Sequence, residues 1–567
     1  MTTTVDGATE RPEPGLAARR LWRRQLDHYP ETRQRVLYLA IVVVATIILY
    51  YQLYLPGAVS PSIIAHFQMT FSYYVYIVVI GNAVGAFGSL AAGLADRWGR
   101  ANLVAYGLVV TALLVLFGIP NAPNKLTFGI LYAAIAVVEG VILVATPALV
   151  RDFSPQLGRA SAMGFWTLGP VVGSLVVAVV SSNTLSHLHA WQDQFIICGI
   201  AGLVVAAIAV VALRELSPGL RDQLMVSMHD RALIEARAQG IDLAETLKHP
   251  WRQMLHLDVI GSAFAISVFL IIYYTAVGFF TIYFSSLFGY SLSKANGLGN
   301  WFWAFDAGAL IVVGIVSDLV KVRKPFMVLG AVGAVIMTII FGSFAGHPHT
   351  SYYTFVLVIS LLAVFLAIAY APWMASFTET VERHNPALTA TGLAVWGWII
   401  RAVIAVSTLV LPFVVSSMTP LVTYGPQVQA LSAKYAQQLT TAAAIDPATQ
   451  AALNANPTDK AAAAKAIGEI ARAEKVPVAV AAQRLVALAS VPKADLAYLQ
   501  AHGPKVAEAS KAAAGQWRNW WWVAVGGEVV FIPLIFLMAG RWDPRQARRD
   551  AAAHERRVQE EMASLRS

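Results

Sequence analysis

Charge is what this sequence most lacks. Asp, Glu, Lys and Arg make up 13% of its 567 residues, against roughly 25% in a soluble globular chain. Apolar residues make up 57%, and mean hydropathy is +0.61. A water-soluble fold has no means of covering so much apolar surface, so a soluble architecture is excluded. Cysteine is nearly absent as well. The single Cys198 rules out an internal disulfide framework and a cysteine-based metal site, and its apolar surroundings make it a small core residue. There is no nucleophile elbow, no HExxH and no Walker A sequence. The chain is therefore expected not to be an enzyme and to need no cofactor or metal, and any energy for work has to come from an ion gradient. A cleavable signal peptide is not evident either. The first apolar run starts near Val36, behind a charged tail, and is too long for a signal core.

The charge that is present sits at the ends and in short connections. The net charge is +9. The first 36 residues hold Arg11, Arg19, Arg20, Arg23, Arg24, Arg33 and Arg35, and the last stretch holds Arg541, Arg545, Arg548, Arg549, Arg556, Arg557 and Arg566. This pattern suits segments that flank a membrane and face anionic lipid, not a nucleic-acid partner.

A hydrocarbon core of roughly 30 Å needs about 20 apolar helical residues. Twelve runs qualify, near 36–57, 72–95, 101–119, 127–150, 161–182, 193–213, 257–285, 296–317, 325–345, 352–375, 388–418 and 518–540. Lys and Arg concentrate in the even-numbered connections: Arg97, Arg100, Arg151, Arg159, Lys321, Arg323, Lys324 and Arg383. The odd-numbered ones carry none, or one each in Lys125 and Lys294. Positive connections stay in the cytoplasm, which places both termini there and requires an even number of spans.

Two connections are long. Residues 214–256 are charged and helix-prone and divide the spans six and six. Trp251, Met254 and Leu255 could lie on the membrane surface, or the segment could be a plain linker. Residues 419–517 are rich in Ala and punctuated by Pro426, Pro447, Pro457, Pro477, Pro492 and Pro504, which predicts several short helices in a small extracytoplasmic insert. The insert carries nine Lys or Arg, but long loops translocate largely regardless of charge. The expected organisation is a cytoplasmic tail (1–35), a six-span bundle (36–213), the linker (214–256), spans seven to eleven (257–418), the insert (419–517), the last span (518–540) and a second cytoplasmic tail (541–567).

The connection after the second run reads GLADRWGRA, with Gly93, Asp96, Arg97, Gly99 and Arg100. A shorter copy, GIVSDLVKVRK, follows the eighth run, with Gly314, Asp318, Lys321, Arg323 and Lys324. An Asp at a helix end, basic residues and a glycine turn make a charge network that can lock two halves together. Two copies at equivalent places, with a long linker between them, resemble the signature loops of the major facilitator superfamily. In the first copy Ala92 stands where that family's leading glycine is usual. The resemblance covers residues 36–418 and the last span, with the insert outside it. It implies an all-α membrane protein of twelve transmembrane helices in two six-helix bundles, in the cell membrane, related by pseudo-two-fold symmetry about the membrane normal.

Two further features bear on the kind of member. Gly169, Pro170 and Gly173 resemble part of the fifth-helix motif of drug/proton antiporters, yet close helix packing explains them as well, as it does Gly81, Gly85 and Gly88. Antiporter-like members carry an Arg three residues before a pair such as Glu139-Gly140, and here that position is Ala136.

Ionisable groups in mid-span are costly and are functional candidates for that reason. Glu139, Asp306, Arg401 and Glu528 stand out. The resemblance places Glu139 toward the cavity and Glu528 on a peripheral helix. Carboxylates held in apolar surroundings can exchange a proton, so Glu139 or Asp306 is the expected proton-coupling group. Arg401 stays charged and can clamp a carboxylate or phosphate, or it can form a structural pair with Asp306. The expected substrate pocket comprises Arg401, Trp398, Tyr273, Tyr274, Asn300, Trp303 and Tyr370. Tyr50, Tyr51, Gln52 and Tyr54 read as interfacial anchors, as do Trp520, Trp521 and Trp522.

These features predict a secondary transporter of a small polar solute, coupled to protons and embedded among lipids, with symport of an anionic metabolite as the leading form. A drug or metabolite exporter is the alternative within that class. A non-transporting sensor or scaffold acting through residues 419–517, with an extracytoplasmic protein partner, is the alternative outside it.

Overall fold

The computed structural model of the chain describes residue 22 and residues 24–88, 98–153, 158–217, 220, 254–384 and 389–564. Gly93, Asp96 and Arg97 of the first signature loop, Trp251, and most of the tail before Trp22 and of the central linker lie outside the described residues.

The first half contains α1 (Thr32–Ala58), α2 (Ser60–His66), α3 (Phe71–Gly88), α4 (Arg100–Leu113), α5 (Lys125–Phe153), α6 (Gly158–Thr184) and α7 (Trp191–Ala212). The second half contains α8 (Leu257–Phe269), α9 (Ile271–Phe288), α10 (Leu292–Val320), α11 (Lys324–Ser343), α12 (Tyr352–His384) and α13 (Thr389–Val414). Ten helical stretches among the described residues are long and apolar enough to cross a membrane, or eleven if the bent pair α2–α3 counts as one. In hydrocarbon every backbone amide and carbonyl needs an internal partner, which a helix provides from its own turns. The chain is a multi-pass membrane protein.

Three spans depart from straight rods. α2 meets α3 at 115°, with Gln68 in the left-handed region between them (φ 49°). α4 runs on through a π turn, Leu114–Gly118, and a 3-10 turn, Ile119–Asn121. The seventh apolar run is broken at Leu270, where ψ swings to 8° between α8 and α9. Such breaks survive in a membrane only where side chains or a cavity take up the released backbone groups.

Glycines set the closest helix contacts. A Cβ on Gly140 of α5 would lie 2.1 Å from the Gly85 carbonyl of α3, and one on Gly81 would strike the Tyr132 ring at 2.5 Å. α1 and α6 meet in the same way, with Gly169 against Thr46 and Gly173 against Tyr50. Packing thus accounts for Gly81 and Gly85 of the second run and for Gly169 and Gly173 of the fifth.

The halves touch at the end of the bundle nearest the insert. A Cβ on Gly57 of α1 would sit 2.4 Å from the Val277 carbonyl of α9, so the two backbones are in direct contact. Asn296 donates to the Ala58 carbonyl (3.0 Å), Asn300 donates to Ser182 Oγ (2.9 Å), and the Phe71 and Phe279 rings meet at 5.9 Å.

At the opposite end a strap crosses the first half. β1 (Gln25–Leu26) pairs in parallel with β2 (Glu215–Leu216). Buried Arg24 donates to the Ala209 carbonyl (2.8 Å) and stacks over Tyr106, while Asn102 holds the Trp22 carbonyl (2.8 Å). Met254, near the end of the linker, is fully buried, whereas Leu255 is exposed.

The insert is helical, as expected from its alanines: α14 (Met418–Thr423), α15 (Gly425–Lys434), α16 (Ala436–Ala443), α17 (Pro447–Ala455), α18 (Lys460–Ala473) and α19 (Val478–Ala489). Asp446 and Asp459 cap α17 and α18 through their side chains, and Pro447 occupies the first turn of α17. Its small cores are Ile445, Ala466, Ile470 and Ala481, and Leu431, Tyr435 and Val491, with Arg484 paired to Glu474. The next helix, α20 (Lys493–Leu534), continues without a break past residue 517, so the insert's last helix and the last apolar run are one rod. α21 (Pro544–Ser564) completes the described chain.

Two substitutions of the same kind should act in opposite directions. Gly140→Ala forces α3 and α5 apart and should destabilise the protein by about 1–3 kcal/mol. Gly515→Ala, in α20 with nothing within 4 Å of its Cβ position, should gain up to roughly 1 kcal/mol of helix propensity. Thermal unfolding of the purified variants in detergent checks both signs.

Candidate functional site

A cavity of about 290 Å³ opens between the two halves, walled by α1, α3, α5 and α6 on one side and by Leu270, α9, α10, α12 and α13 on the other. Its polar lining consists of Asp306 and Arg401 together with seven tyrosines: Tyr50, Tyr54, Tyr74, Tyr132, Tyr273, Tyr274 and Tyr370. Asn82, Thr408 and Trp396 add to it. The break at Leu270 is itself part of the wall, and Tyr273 and Tyr274 line the cavity one helical turn later.

The two charges face the void separately. Asp306 is 3% exposed and its Oδ2 is buried without a partner. Among the described residues, neither its carboxylate nor the Arg401 guanidinium has a hydrogen bond or ion pair, so the structural pair weighed above is not formed. Their neighbours differ. Asp306 lies in electrostatic reach of Tyr273 and Tyr370, and Arg401 in reach of Tyr50 and Tyr274.

Glu139 occupies another layer. It is 1% exposed, neither carboxylate oxygen has a partner, and it does not line the cavity. It stands within electrostatic reach of Tyr50, Tyr54, Tyr132 and Cys198, behind the tyrosine wall. Gln52, buried on α1 against Gly202 of α7, likewise has no partner for its amide oxygen or nitrogen.

Of the pocket expected from sequence, Arg401, Tyr273, Tyr274 and Tyr370 come together at the cavity. Trp303 adjoins it, its ring against Tyr273 at 5.0 Å, and lines a smaller void with Tyr54 and Ser174. Asn300 instead ties α10 to α6 through Ser182. Trp398 points away, 47% exposed. A helix turns about 100° per residue, so a face built from Gly397, Ile400, Ile404 and Thr408 puts Arg401 at its edge and Trp398 beyond it.

The anchor reading of Tyr50 and Tyr54 is also corrected, because both wall the cavity. Spaced four residues apart on α1, they share one face, and the ring contact between them (5.4 Å) follows from that spacing. Trp520 and Trp521 are 1% exposed, and Trp520 donates to Thr275 Oγ1 (3.1 Å), leaving Trp522 as the exposed member of the three. Glu528 accepts from Thr338 (2.7 Å) between α11 and α20, away from the cavity.

The signature loops build matching contacts at the end opposite the insert. Gly99 takes φ 90° before α4, a conformation suited to glycine. Arg100 pairs with Asp152 at the end of α5 (2.7 Å). Glu215 accepts from the backbone N–H groups of Arg100 (2.6 Å) and Ala101 (3.3 Å), satisfying two free donors at the start of α4. In the second half Arg323 bridges Asp318 (2.7 Å) and Glu379 of α12 (3.2 Å). Here Lys321 takes the left-handed turn (φ 60°), while Gly314 sits in α10 with open space around it. Asp152, Glu215 and Glu379 went unnoticed in the sequence because they lie far along the chain from their partners. The signal available was an acidic residue closing the helix two spans after each loop's start.

Comparison with known proteins agrees with this architecture. The sequence model described as Major Facilitator Superfamily matches residues 42–408. No curated protein sequence matches. A bacterial homolog of the human lysosomal transporter Spinster, in an inward-facing and occupied conformation, superposes with a TM-score of 0.55 at 17% identity, covering 90% of this chain and 97% of that one. The same homolog unoccupied gives 0.53 at 16% identity, covering 91% and 100%. A partially occluded inward-open xylose transporter from E. coli gives 0.48 at 14% identity, covering 67% and 98%. These relatives are transporters and not enzymes. With two signature loops, a cavity between paired halves and a family match over most of its length, the chain belongs to the major facilitator superfamily of secondary transporters.

Proposed function

We propose that the chain is a proton-coupled symporter that moves a small anionic solute across the cell membrane by alternating access. The observation that carries this reading is Arg401, a permanent cation facing the cavity between the halves with no ion pair among the described residues. A guanidinium so placed is satisfied by a carboxylate or phosphate arriving from outside. Glu139 supplies the coupling. Its carboxyl group sits next to, but outside, the solute's space, behind Tyr50, Tyr54 and Tyr132, where loading and releasing a proton alters the cost of moving the first half.

The reading counts twelve spans, with α2–α3 taken as one and α6 included. It places the signature loops and both termini in the cytoplasm and the insert outside. The contact of Gly57 with Val277 then closes the outer side, and the Arg100–Asp152 and Arg323–Glu379 pairs belong to the cytoplasmic gate.

Proteoliposomes loaded with a pH-sensitive dye and challenged with a panel of organic and amino acids test the reading. A substrate draws protons inward with it. Glu139→Gln should cut solute-driven proton flux at least about tenfold while sparing exchange of labelled for unlabelled solute. Unchanged gradient-driven accumulation in Glu139→Gln sinks the coupling assignment. Separately, Arg401→Lys should weaken solute affinity about tenfold, because the ammonium cannot make a forked contact. Unaltered affinity there returns Arg401 to a structural role.

A further inference from the structure

We infer that the solute is zwitterionic, carrying an ammonium held by Asp306 as well as the anionic group held by Arg401. This rests on the transport reading above and narrows it. The cavity presents one carboxylate and one guanidinium, both set among apolar spans and neither paired with another of the described residues. Uncompensated charge in such surroundings is costly, and a direct pair between the two would relieve both. The fold withholds that pair. Asp306 comes from α10 among Tyr273 and Tyr370, and Arg401 comes from α13 beside Tyr50 and Tyr274. A ligand with opposite charges separated by a short spacer satisfies both groups at once, and a simple anion leaves Asp306 unmet.

The walls fit the same chemistry. Tyrosine faces attract an ammonium and cover an apolar or flat spacer, and their hydroxyls remain available to oxygen atoms. A volume of about 290 Å³ suits a molecule of amino-acid size and leaves no room for a polymer. The geometry also separates two carboxylates that looked alike in the sequence. Asp306 meets the solute, while Glu139 stands behind the wall and stays free to titrate whatever the solute carries.

The test is binding by the purified full chain to matched sets: phenylalanine, 3-phenylpropionate and phenethylamine; 4-aminobutyrate, butyrate and butylamine; O-phosphoethanolamine, ethyl phosphate and ethylamine. In at least one set the amino acid or amino phosphate should bind at least tenfold tighter than both of its single-charge partners. Asp306→Asn should collapse that preference to within about twofold, and Asp306→Glu should retain most of it. Equal binding of an acid and its desamino analogue, no binding by any zwitterion, or a preference that survives Asp306→Asn overturns the inference. If Asp306→Asn fails to fold, the wild-type preference alone decides. Zwitterion preference without pH-driven flux leaves this inference standing and removes the transport reading. Flux driven by desamino acids alone does the reverse.

Discussion

A polar group that leaves water for hydrocarbon must find its partner inside the protein, and most of this structure follows from that demand. Backbone groups meet it by helix formation, so the spans are helical and their interruptions are few. Where a helix does break, as at Leu270, the wall of a cavity lies next to it. Side chains meet the demand in pairs such as Glu528 with Thr338, or Trp520 with Thr275. Of the four ionisable side chains in mid-span, Asp306, Arg401 and Glu139 make no hydrogen bond or ion pair among the described residues, and Gln52, also without an amide partner, is buried on α1 as well. Their unmet bonding is the strongest physical pointer to where the molecule does its work.

The contrast between the two ends of the bundle follows from the same accounting. Near the insert, backbone lies on backbone at Gly57 and Val277, and amides cross between the halves. At the other end charged side chains hold neighbouring spans together within each half. Arg100–Asp152 and Arg323–Glu379 each join spans of a single half, so they stiffen that half at one end as the glycine-mediated contacts do along its length.

Much of this was legible in the sequence, and for identifiable reasons. Asp306 and Arg401 stood out because an ionised side chain in an apolar run has few structural excuses. The signature loops announced themselves twice, and the insert's alanines and prolines named its helices. Other features depended on angles that a linear pattern leaves undefined. Tyr50 and Tyr54 resemble membrane-surface anchors until α1 is seen to turn their face inward. Trp398 looked close to Arg401 by spacing, yet lies on the far flank of the same helix. Asp152 and Glu379, which pair with Arg100 and Arg323, are about 50 residues away in sequence, and only the packing of neighbouring spans brings them near.

The strap formed by β1 and β2 has a meaning for the order in which the protein is made. Gln25 leaves the ribosome before α1, but its partner Glu215 appears only after α1 to α7 have been synthesised. Until then Arg24 has no Ala209 carbonyl to hold, and the start of α4 lacks the carboxylate that covers its amides. The first half can therefore be fastened only once it is complete. The parallel pair works as a closing stitch: a chain that stalls or loses a span during insertion leaves its leading segment undocked, in water and open to proteases.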